Sequence, residues 1–152
     1  ERKLPVRVAR LFNTVGPRQT GRYGMVLPRF IASARAGKPL KVYGDGLQTR
    51  CFCYVADTVE ALMRLQSTSA AVGGVFNVGG TEEITIRQLA QSVIEVLGSG
   101  SGVEYVSYSE AYAPGFEDMR RRKPDVARLE RVTGFRPNTP LRRIIERTAG
   151  LS

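Results

Sequence analysis

The chain has 152 residues, of which 42% are hydrophobic and 24% are charged. This balance is typical of one folded domain with a buried core, and it excludes a generally disordered chain. No apolar run approaches the roughly 20 residues of a membrane span, and no signal-peptide core follows the first residues, so we expect a cytoplasmic protein. The net charge of +9 favours an anionic partner, either nucleic acid or a small phosphorylated ligand, or marks an ordinary basic surface.

The first part of the chain alternates short strands with a helix. Residues 5–12 (PVRVARLF) predict a strand, and residues 13–24 predict a loop rich in glycine and arginine. Pro28 predicts the first turn of a helix. Residues 40–43 and 51–55 predict two further strands.

A second helix is predicted behind Asp57, which stands at an N-cap position with Glu60 three residues further on. The helical spacing of its apolar residues predicts that Val59, Leu62 and Leu65 are buried.

The second part of the chain contains the clearest helix signal. Thr85 and Gln88 form a capping box, and Gly98 ends the apolar repeat that follows. The remaining predicted elements are short: strands over 75–78 and 103–106, a surface loop over 112–123, and helices over 126–133 and 141–149. The mixture of strands and helices predicts an α/β fold.

The residue inventory excludes several kinds of catalytic site. The sequence contains no histidine, which removes Ser-His-Asp and Cys-His catalysis and the commonest zinc ligand. Cys51 and Cys53 lack the spacing of a metal site or a disulfide framework, so we expect two buried thiols and no metal.

Three arginines stand in unusual local settings. Arg18 lies in a Gly-Pro loop, Arg50 enters a predicted strand, and Arg122 lies in the run RRRK before Pro124 and Asp125. A guanidinium group can bind paired phosphate oxygens through two parallel hydrogen bonds. Each arginine is therefore a candidate phosphate ligand, although most arginines are solvated surface residues.

Four motifs together indicate a family: RLFNTVGPRQ at 10–19, VYGDGLQTRCFCYVAD at 42–57, VFNVGG at 75–80 and RRRKPD at 120–125. In this order and spacing they resemble the C-terminal half of the nucleotide-sugar epimerases and dehydratases, which are extended short-chain dehydrogenases. The resemblance is strongest to UDP-glucose 4-epimerases and UDP-glucuronate decarboxylases, and it covers nearly the whole chain.

The resemblance implies a nucleotide-sugar site. Asn13 would bind the ligand near its diphosphate, Arg50 and Arg122 would hold the two phosphates, and Tyr43 would lie against the uracil base. The local sequence leaves simpler roles open, since Asn13 also suits a turn and Tyr43 also suits a core strand.

Five other positions take roles from the same resemblance. Val26 and Leu27 would line the nucleotide pocket, and Asp125 would accept hydrogen bonds from the ribose or hold Arg122. Leu11 and Phe12 would lie near the nicotinamide end of bound NAD. Asp125 also suits the N-cap of the helix that follows it.

Two features of the family are absent from these 152 residues. No glycine-rich dinucleotide fingerprint occurs, and none of the six tyrosines is followed four residues later by lysine, the pair that shuttles the proton at the sugar. We therefore expect residues 1–152 to be the C-terminal substrate-binding part of an NAD-dependent enzyme, a fragment without its Rossmann half. Residues 1–12 and 54–79 would belong to the Rossmann side.

The resulting hypothesis is the UDP-sugar-binding part of an NAD-dependent sugar epimerase that works through a 4-keto intermediate. A UDP-glucuronate decarboxylase or an NDP-sugar dehydratase is the alternative. We expect the fragment alone to be inactive and to associate with its missing half or with itself. A basic nucleic-acid-binding module is the alternative from another class, but the sequence lacks a basic helical stripe and an RNP-like motif.

Overall fold

The structure is a computed structural model that describes residues 4–21, 25–111 and 118–151. It confirms the predicted α/β fold. The strands are β1 (Val8–Leu11), β2 (Thr14–Val15), β3 (Leu40–Tyr43), β4 (Thr49–Cys51), β5 (Cys53–Tyr54), β6 (Val75–Val78), β7 (Glu83–Thr85), β8 (Val103–Val106) and β9 (Arg121–Arg122). The helices are α1 (Val26–Arg35), α2 (Val55–Ser67), α3 (Ile86–Leu97), α4 (Tyr108–Ala111), α5 (Ala127–Thr133) and α6 (Leu141–Thr148). Each helix in the described ranges is too short or too polar to cross a membrane.

The strands form four small sheets. Three are parallel pairs, in which β1 joins β6, β2 joins β5, and β3 joins β8. The fourth sheet has the order β7-β4-β9, with β4 antiparallel to β7 and parallel to β9. All but one of these pairings are parallel, and each of the parallel pairs joins strands that are distant in sequence.

The larger of two hydrophobic cores is built from α1, α3 and α6 around β3. Leu27, Leu40, Leu89 and Ile145 are completely buried there. The capping box of Thr85 and Gln88 is confirmed at the start of α3, and Gly98 ends that helix in the left-handed conformation with φ +59°. Local sequence signals and packing therefore agree on the position of α3.

The smaller core joins α2, β6 and α5. Its buried residues include Leu65, Phe76, Val78 and Leu129. β1 lies beside β6 in parallel register, but Val8 and Leu11 remain 48% exposed. These two side chains point to opposite faces of β1, so the described part of this small sheet leaves an apolar side chain exposed on each face.

The prediction for α2 was wrong in its start and for two of the three residues of its buried face, while Leu65 is buried as predicted. The helix begins at Val55, and Asp57 lies within its first turn, where it accepts a hydrogen bond from the Thr139 amide at 3.0 Å. Val59 and Leu62 are exposed, because α2 packs through Thr58, Ala61 and Leu65 instead. The helix is apolar on two sides, so its sequence period alone does not select the buried one.

Other predicted elements shift at their boundaries. α1 begins at Val26, two residues before Pro28, and the predicted strand at 51–55 is divided into β4 and β5 before α2 begins. Short strands β2 and β9 lie within segments predicted as loops. Residues 22–24 and 112–117 of those two loops are outside the described residues.

Two leucines on α2 test which face of this helix is buried. Leu65 is 2% exposed and Leu62 is 39% exposed. We expect Leu65→Ala to lower the free energy of unfolding by about 2–5 kcal/mol, because it leaves a cavity in the smaller core. The matched variant Leu62→Ala should cost less than about 1 kcal/mol. Urea denaturation measures both, and equal losses would contradict the observed orientation of α2.

Candidate functional site

A cavity of about 430 Å³ lies between α1, β3 and β4. Of the nine residues that the sequence assigns to binding, five line it: Asn13, Val26, Leu27, Tyr43 and Arg50. They come from segments separated by up to 37 positions (50 minus 13), so the fold brings them together. The volume and partly apolar lining are typical of a small-molecule site.

The described lining of this cavity carries an excess of positive charge. Its basic side chains are those of Arg29, Lys38, Lys41 and Arg50, and its one carboxylate among the described residues is Asp118. Low-dielectric walls concentrate the field of such charges. The cavity is therefore suited to an anionic ligand.

Arg50 is the most enclosed of the charged groups that the sequence singled out. Its side chain is 14% exposed, and its Nη2 contacts Asp118 Oδ1 at 2.5 Å. Its Nη1 donates to the carbonyls of Thr49 at 2.7 Å and Met119 at 2.8 Å. These contacts fix the guanidinium at the cavity wall and give it a counter-ion from the protein itself.

Tyr43 ends β3 and is held by an arginine from α1. Arg29 Nη2 donates to the Tyr43 hydroxyl at 2.7 Å, and the Arg29 guanidinium carbon lies 5.4 Å from the centre of the Tyr43 ring. The hydrogen bond and the cation–π contact restrict the ring. Tyr43 is half-buried at the cavity wall, which differs from the ordinary core position considered for it.

Gln48 and Tyr108 form a polar network behind Arg50. Gln48 Nε2 donates to the Tyr43 carbonyl at 3.0 Å and to the Tyr108 hydroxyl at 3.1 Å. The Tyr108 hydroxyl donates to Asp118 Oδ2 at 3.4 Å, and burial, followed by the charge of Asp118, raises the pKa of Tyr108. Tyr108 packs against Gly44, whose φ of +68° and missing side chain leave room for the ring.

Gln48 also offers an unused acceptor to the cavity. Its side chain is buried, and its Oε1 has no hydrogen-bond partner in the part of the chain that the structure describes. A buried acceptor without a partner is costly, and a hydroxyl or N–H donor on a ligand would satisfy it.

Asn13 has a structural role beside its place in the cavity wall. Its φ of +37° lies in the left-handed region, which asparagine tolerates. Its Nδ2 donates to the Cys51 carbonyl at 2.8 Å, and its own carbonyl accepts from the Cys53 amide at 3.2 Å. Both thiols are buried, as predicted, and burial raises the pKa of each.

Arg122 does not line the cavity, but it lies on the strand next to Arg50. β9 is parallel to β4 with Arg50 directly opposite Arg122, so the two side chains leave the same face of the sheet. The Arg122 guanidinium carbon lies 5.4 Å from the centre of the Phe12 ring. The structure therefore brings Arg122 and Phe12 together beside the cavity rather than inside it.

The remaining predicted residues are further from the cavity. Asp125 lies in a second, more open cleft of about 570 Å³, and its Oδ1 accepts from the Ala127 amide at 2.9 Å at the start of α5. The N-cap residue of α5 is Val126, so the N-cap prediction for Asp125 was wrong by one position, although its carboxylate binds the first amide of the helix. Leu11 lies at the exposed end of β1, and Arg18 is exposed with φ +64°.

Sequence reasoning missed several polar residues of the cavity, among them Arg29, Gln48 and Asp118. Arg29 could have been predicted from the sequence, since it lies one helical turn after Val26 on α1. Gln48 belongs to a quoted motif, but its partners are invisible in the sequence. Asp118 lies 68 positions from Arg50, and no local signal connects them.

The same sequence was compared with protein families and curated proteins. The model of the NAD dependent epimerase/dehydratase family matches residues 1–79. A UDP-N-acetyl-alpha-D-glucosaminuronate decarboxylase of Bacillus cytotoxicus is 43% identical over 89% of this chain and 42% of its own length. UDP-glucuronic acid decarboxylase 2 of Arabidopsis thaliana is 40% identical over 91% of this chain and 29% of its own length.

Solved structures give the same relationship for the fold. An epimerase from Methanothermobacter thermautotrophicus superposes with a TM-score of 0.85 at 29% identity, over 97% of this chain and 43% of its own. The UDP-glucuronic acid 4-epimerase of Bacillus cereus, solved with UDP-glucuronic acid and NAD, gives 0.84 at 26% identity over 97% and 45%. The chain spans less than half the length of each of these four relatives.

Two variants separate the backbone and side-chain roles of Asn13. We expect Asn13→Gly to lower the free energy of unfolding by about 0.5–1.5 kcal/mol, because it removes the hydrogen bond to Cys51. Asn13→Ala should cost about 1 kcal/mol more, because alanine is strained at a positive φ. Denaturant unfolding of both variants checks the order, and an alanine variant at least as stable as the glycine variant would contradict it.

Proposed function

The chain belongs to the NAD dependent epimerase/dehydratase family, and we propose that it forms the nucleotide-sugar-binding part of an enzyme that acts on a UDP-linked sugar. The observation that carries this proposal is the positively charged cavity at which Arg50 and Tyr43 meet. A ligand with an aromatic base at one end and a diphosphate in its middle matches the aromatic and guanidinium groups of that wall.

In the proposed complex, Arg50 and Arg122 hold the diphosphate from one face of the β7-β4-β9 sheet. Tyr43 lies against the base, and Val26 and Leu27 form the apolar wall on α1. One N–H of Asn13 Nδ2 donates to Cys51, so its second N–H would donate to the ligand, or its Oδ1 would accept from a ligand hydroxyl. A second ligand donor would satisfy Gln48 Oε1.

The cofactor end of the site lies, in this proposal, at β1. Leu11 ends that strand and Phe12 follows it, and their partly exposed apolar side chains suit the flat face of a nicotinamide ring. The parallel β1-β6 pair, with residues 1–12 and 54–79, would then be the part of the chain on the cofactor side. NAD itself would supply oxidation at the sugar by accepting a hydride.

The chemistry proposed for the whole enzyme starts with oxidation of the sugar at C4. The 4-keto sugar can accept the hydride back on its other face, which is epimerisation. A 4-keto uronate can instead lose its C5 carboxyl group as CO2; the electron pair left behind forms an enolate that is protonated at C5 before the hydride returns to C4, which is decarboxylation. Curated proteins at 36–43% identity to this chain include several decarboxylases of UDP-linked uronic acids, which favours decarboxylation. Epimerisation, preferred slightly from the motifs alone, is the alternative, followed by dehydration.

The residues of this chain would bind and orient the substrate rather than transfer protons. No tyrosine of the 152 residues is followed at the fourth position by lysine. We therefore expect the chain to catalyse nothing by itself.

The alternative of a nucleic-acid-binding module receives little support from the basic run at 120–123. Arg120 contacts Asp45 at 2.7 Å, while Arg121 and Lys123 contact Glu83 at 2.7 and 3.8 Å. Three of its four cations are therefore paired with carboxylates, which leaves little uncompensated charge for a phosphate backbone.

Arg50 provides the direct test of the proposed function. We expect UDP and UDP-glucuronate to raise the melting temperature of the wild-type chain, and Arg50→Ala to weaken binding about 10–100-fold through loss of charge-assisted hydrogen bonds. Uridine binding should change little. UDP-glucose in parallel tests for recognition of a uronate carboxylate.

Arg64→Ala is the matched control, since Arg64 is an exposed arginine whose ion-pair partner is Glu60. Equal stabilisation of wild type and Arg50→Ala by UDP would remove Arg50 from the phosphate site. A wild-type chain that binds neither UDP nor a UDP-sugar would count against the function itself.

Exposed apolar side chains on α2 and β1 predict association. Val59, Leu62 and Met63 of α2 are exposed together with Val8 and Leu11 of β1. We expect the chain to self-associate in light scattering at high concentration, and Met63→Glu to reduce the associated mass. Leu47→Glu, which alters an exposed leucine elsewhere, is the control. A strictly monomeric wild-type chain would contradict this expectation.

A further inference from the structure

Strand β9 carries Arg122 but has little backbone pairing to hold it. It contains two residues, both exposed, and it lies at the edge of the β7-β4-β9 sheet. The Thr49 amide donates to the Arg120 carbonyl at 2.8 Å where this pairing begins. Such a short edge strand depends on side-chain contacts for its register, and a slip by one residue would turn Arg122 to the other face.

Glu83 makes the contacts that span the sheet. Its Oε1 accepts from Thr49 Oγ1 at 2.6 Å and from Arg121 Nε at 2.7 Å, and its Oε2 accepts from Arg121 Nη2 at 2.9 Å. Lys123 Nζ lies 3.8 Å from Oε2. The Glu83 carboxylate on β7 therefore reaches across β4 and binds β9 through a bidentate contact with Arg121.

Strand alternation separates this contact from the predicted phosphate ligands. Thr49 lies opposite Arg121, and Glu83 lies opposite Cys51, so Thr49, Arg121 and Glu83 share one face of the sheet. Arg50 and Arg122 leave the other face. The Glu83 carboxylate thus lies on the opposite face of the sheet from Arg50 and Arg122.

We propose that Glu83 is a positioning residue, which fixes the register of β9 through Arg121. This register places Arg122 beside Arg50, so that the two guanidinium groups can bind one diphosphate together. This inference rests on the proposed function and adds to it a residue outside the cavity. A second ion pair, between Arg120 and Asp45 at 2.7 Å, holds the residue before β9 in place.

The ionisation of Glu83 is consistent with this role. Hydrogen bonds from Arg121, then from Thr49, lower the pKa of Glu83 from 4.5 to about 2. A carboxyl group whose pKa is lower in the folded state stabilises that state above its unfolded pKa. The contribution of Glu83 is therefore fully present above about pH 4.5 and is lost as the pH falls towards about 2.

The test compares Glu83→Gln with wild type in ligand binding and in backbone amide exchange. We expect UDP to bind about tenfold more weakly to the variant, because one charge-assisted phosphate contact is misplaced, and uridine to bind equally well. The Thr49 amide should exchange at least about tenfold faster in the variant without ligand, as the β4-β9 pairing opens. Arg121→Gln should reproduce both effects, and the double variant should add little to either.

Glu60→Gln is the matched control, since it removes one exposed carboxylate that is paired within α2, and it should change neither readout. Unchanged Thr49 exchange in Glu83→Gln overturns the positioning role. Wild-type UDP affinity in that variant, with loss of affinity in Arg50→Ala, overturns the inference and leaves the proposed function intact. Absence of UDP binding by wild type overturns both together.

Discussion

The two hydrophobic cores of this chain are joined where Asn13 meets the segment from Cys51 to Cys53. The Asn13 side chain binds the Cys51 carbonyl, and its backbone carbonyl accepts from the Cys53 amide. At this point β1 gives way to β2 and β4 gives way to β5. Phe52 packs into the larger core, while α2, which starts at Val55, packs into the smaller one. The relative positions of the cavity and of the β1-β6 pair depend on these contacts between Asn13 and the segment from Cys51 to Cys53.

Sequence patterns located the elements whose stability is local. β3, β6 and β8 have the predicted bounds, and the capping box of α3 is present, because alternation and capping are encoded within a few residues. The short strands β7 and β9 were missed, since each exists only through pairing with β4. The buried side of α2 was mispredicted for a related reason, as Leu62 and Leu65 are equally apolar and only the packing of α5 and β6 distinguishes them.

The candidate site shows the same difference between local sequence signals and long-range contacts. Five residues assigned through the family resemblance line one cavity, because the fold brings the start of α1 next to β3, β4 and the turn at Asn13. Arg122 and Asp125 lie outside this cavity: Arg122 was predicted in a loop but lies on β9, and Asp125 lies in the separate cleft before α5. The contacts of Arg50 with Asp118 and of Arg29 with Tyr43 connect distant segments, so no periodic pattern predicts them. Their roles in ligand binding remain predictions.

The contact of Arg50 with Asp118 affects which anions the cavity can select. Because the guanidinium already has a carboxylate at 2.5 Å, a ligand with a single negative charge would only exchange one monoanion for another and gain little Coulomb energy. A group with two or more charges, or one that reaches the other lysines and arginines of the wall at the same time, gains from the exchange. In the proposed complex, the internal counter-ion would therefore favour polyanions over the chloride, acetate and simple carboxylates that are abundant around any basic surface.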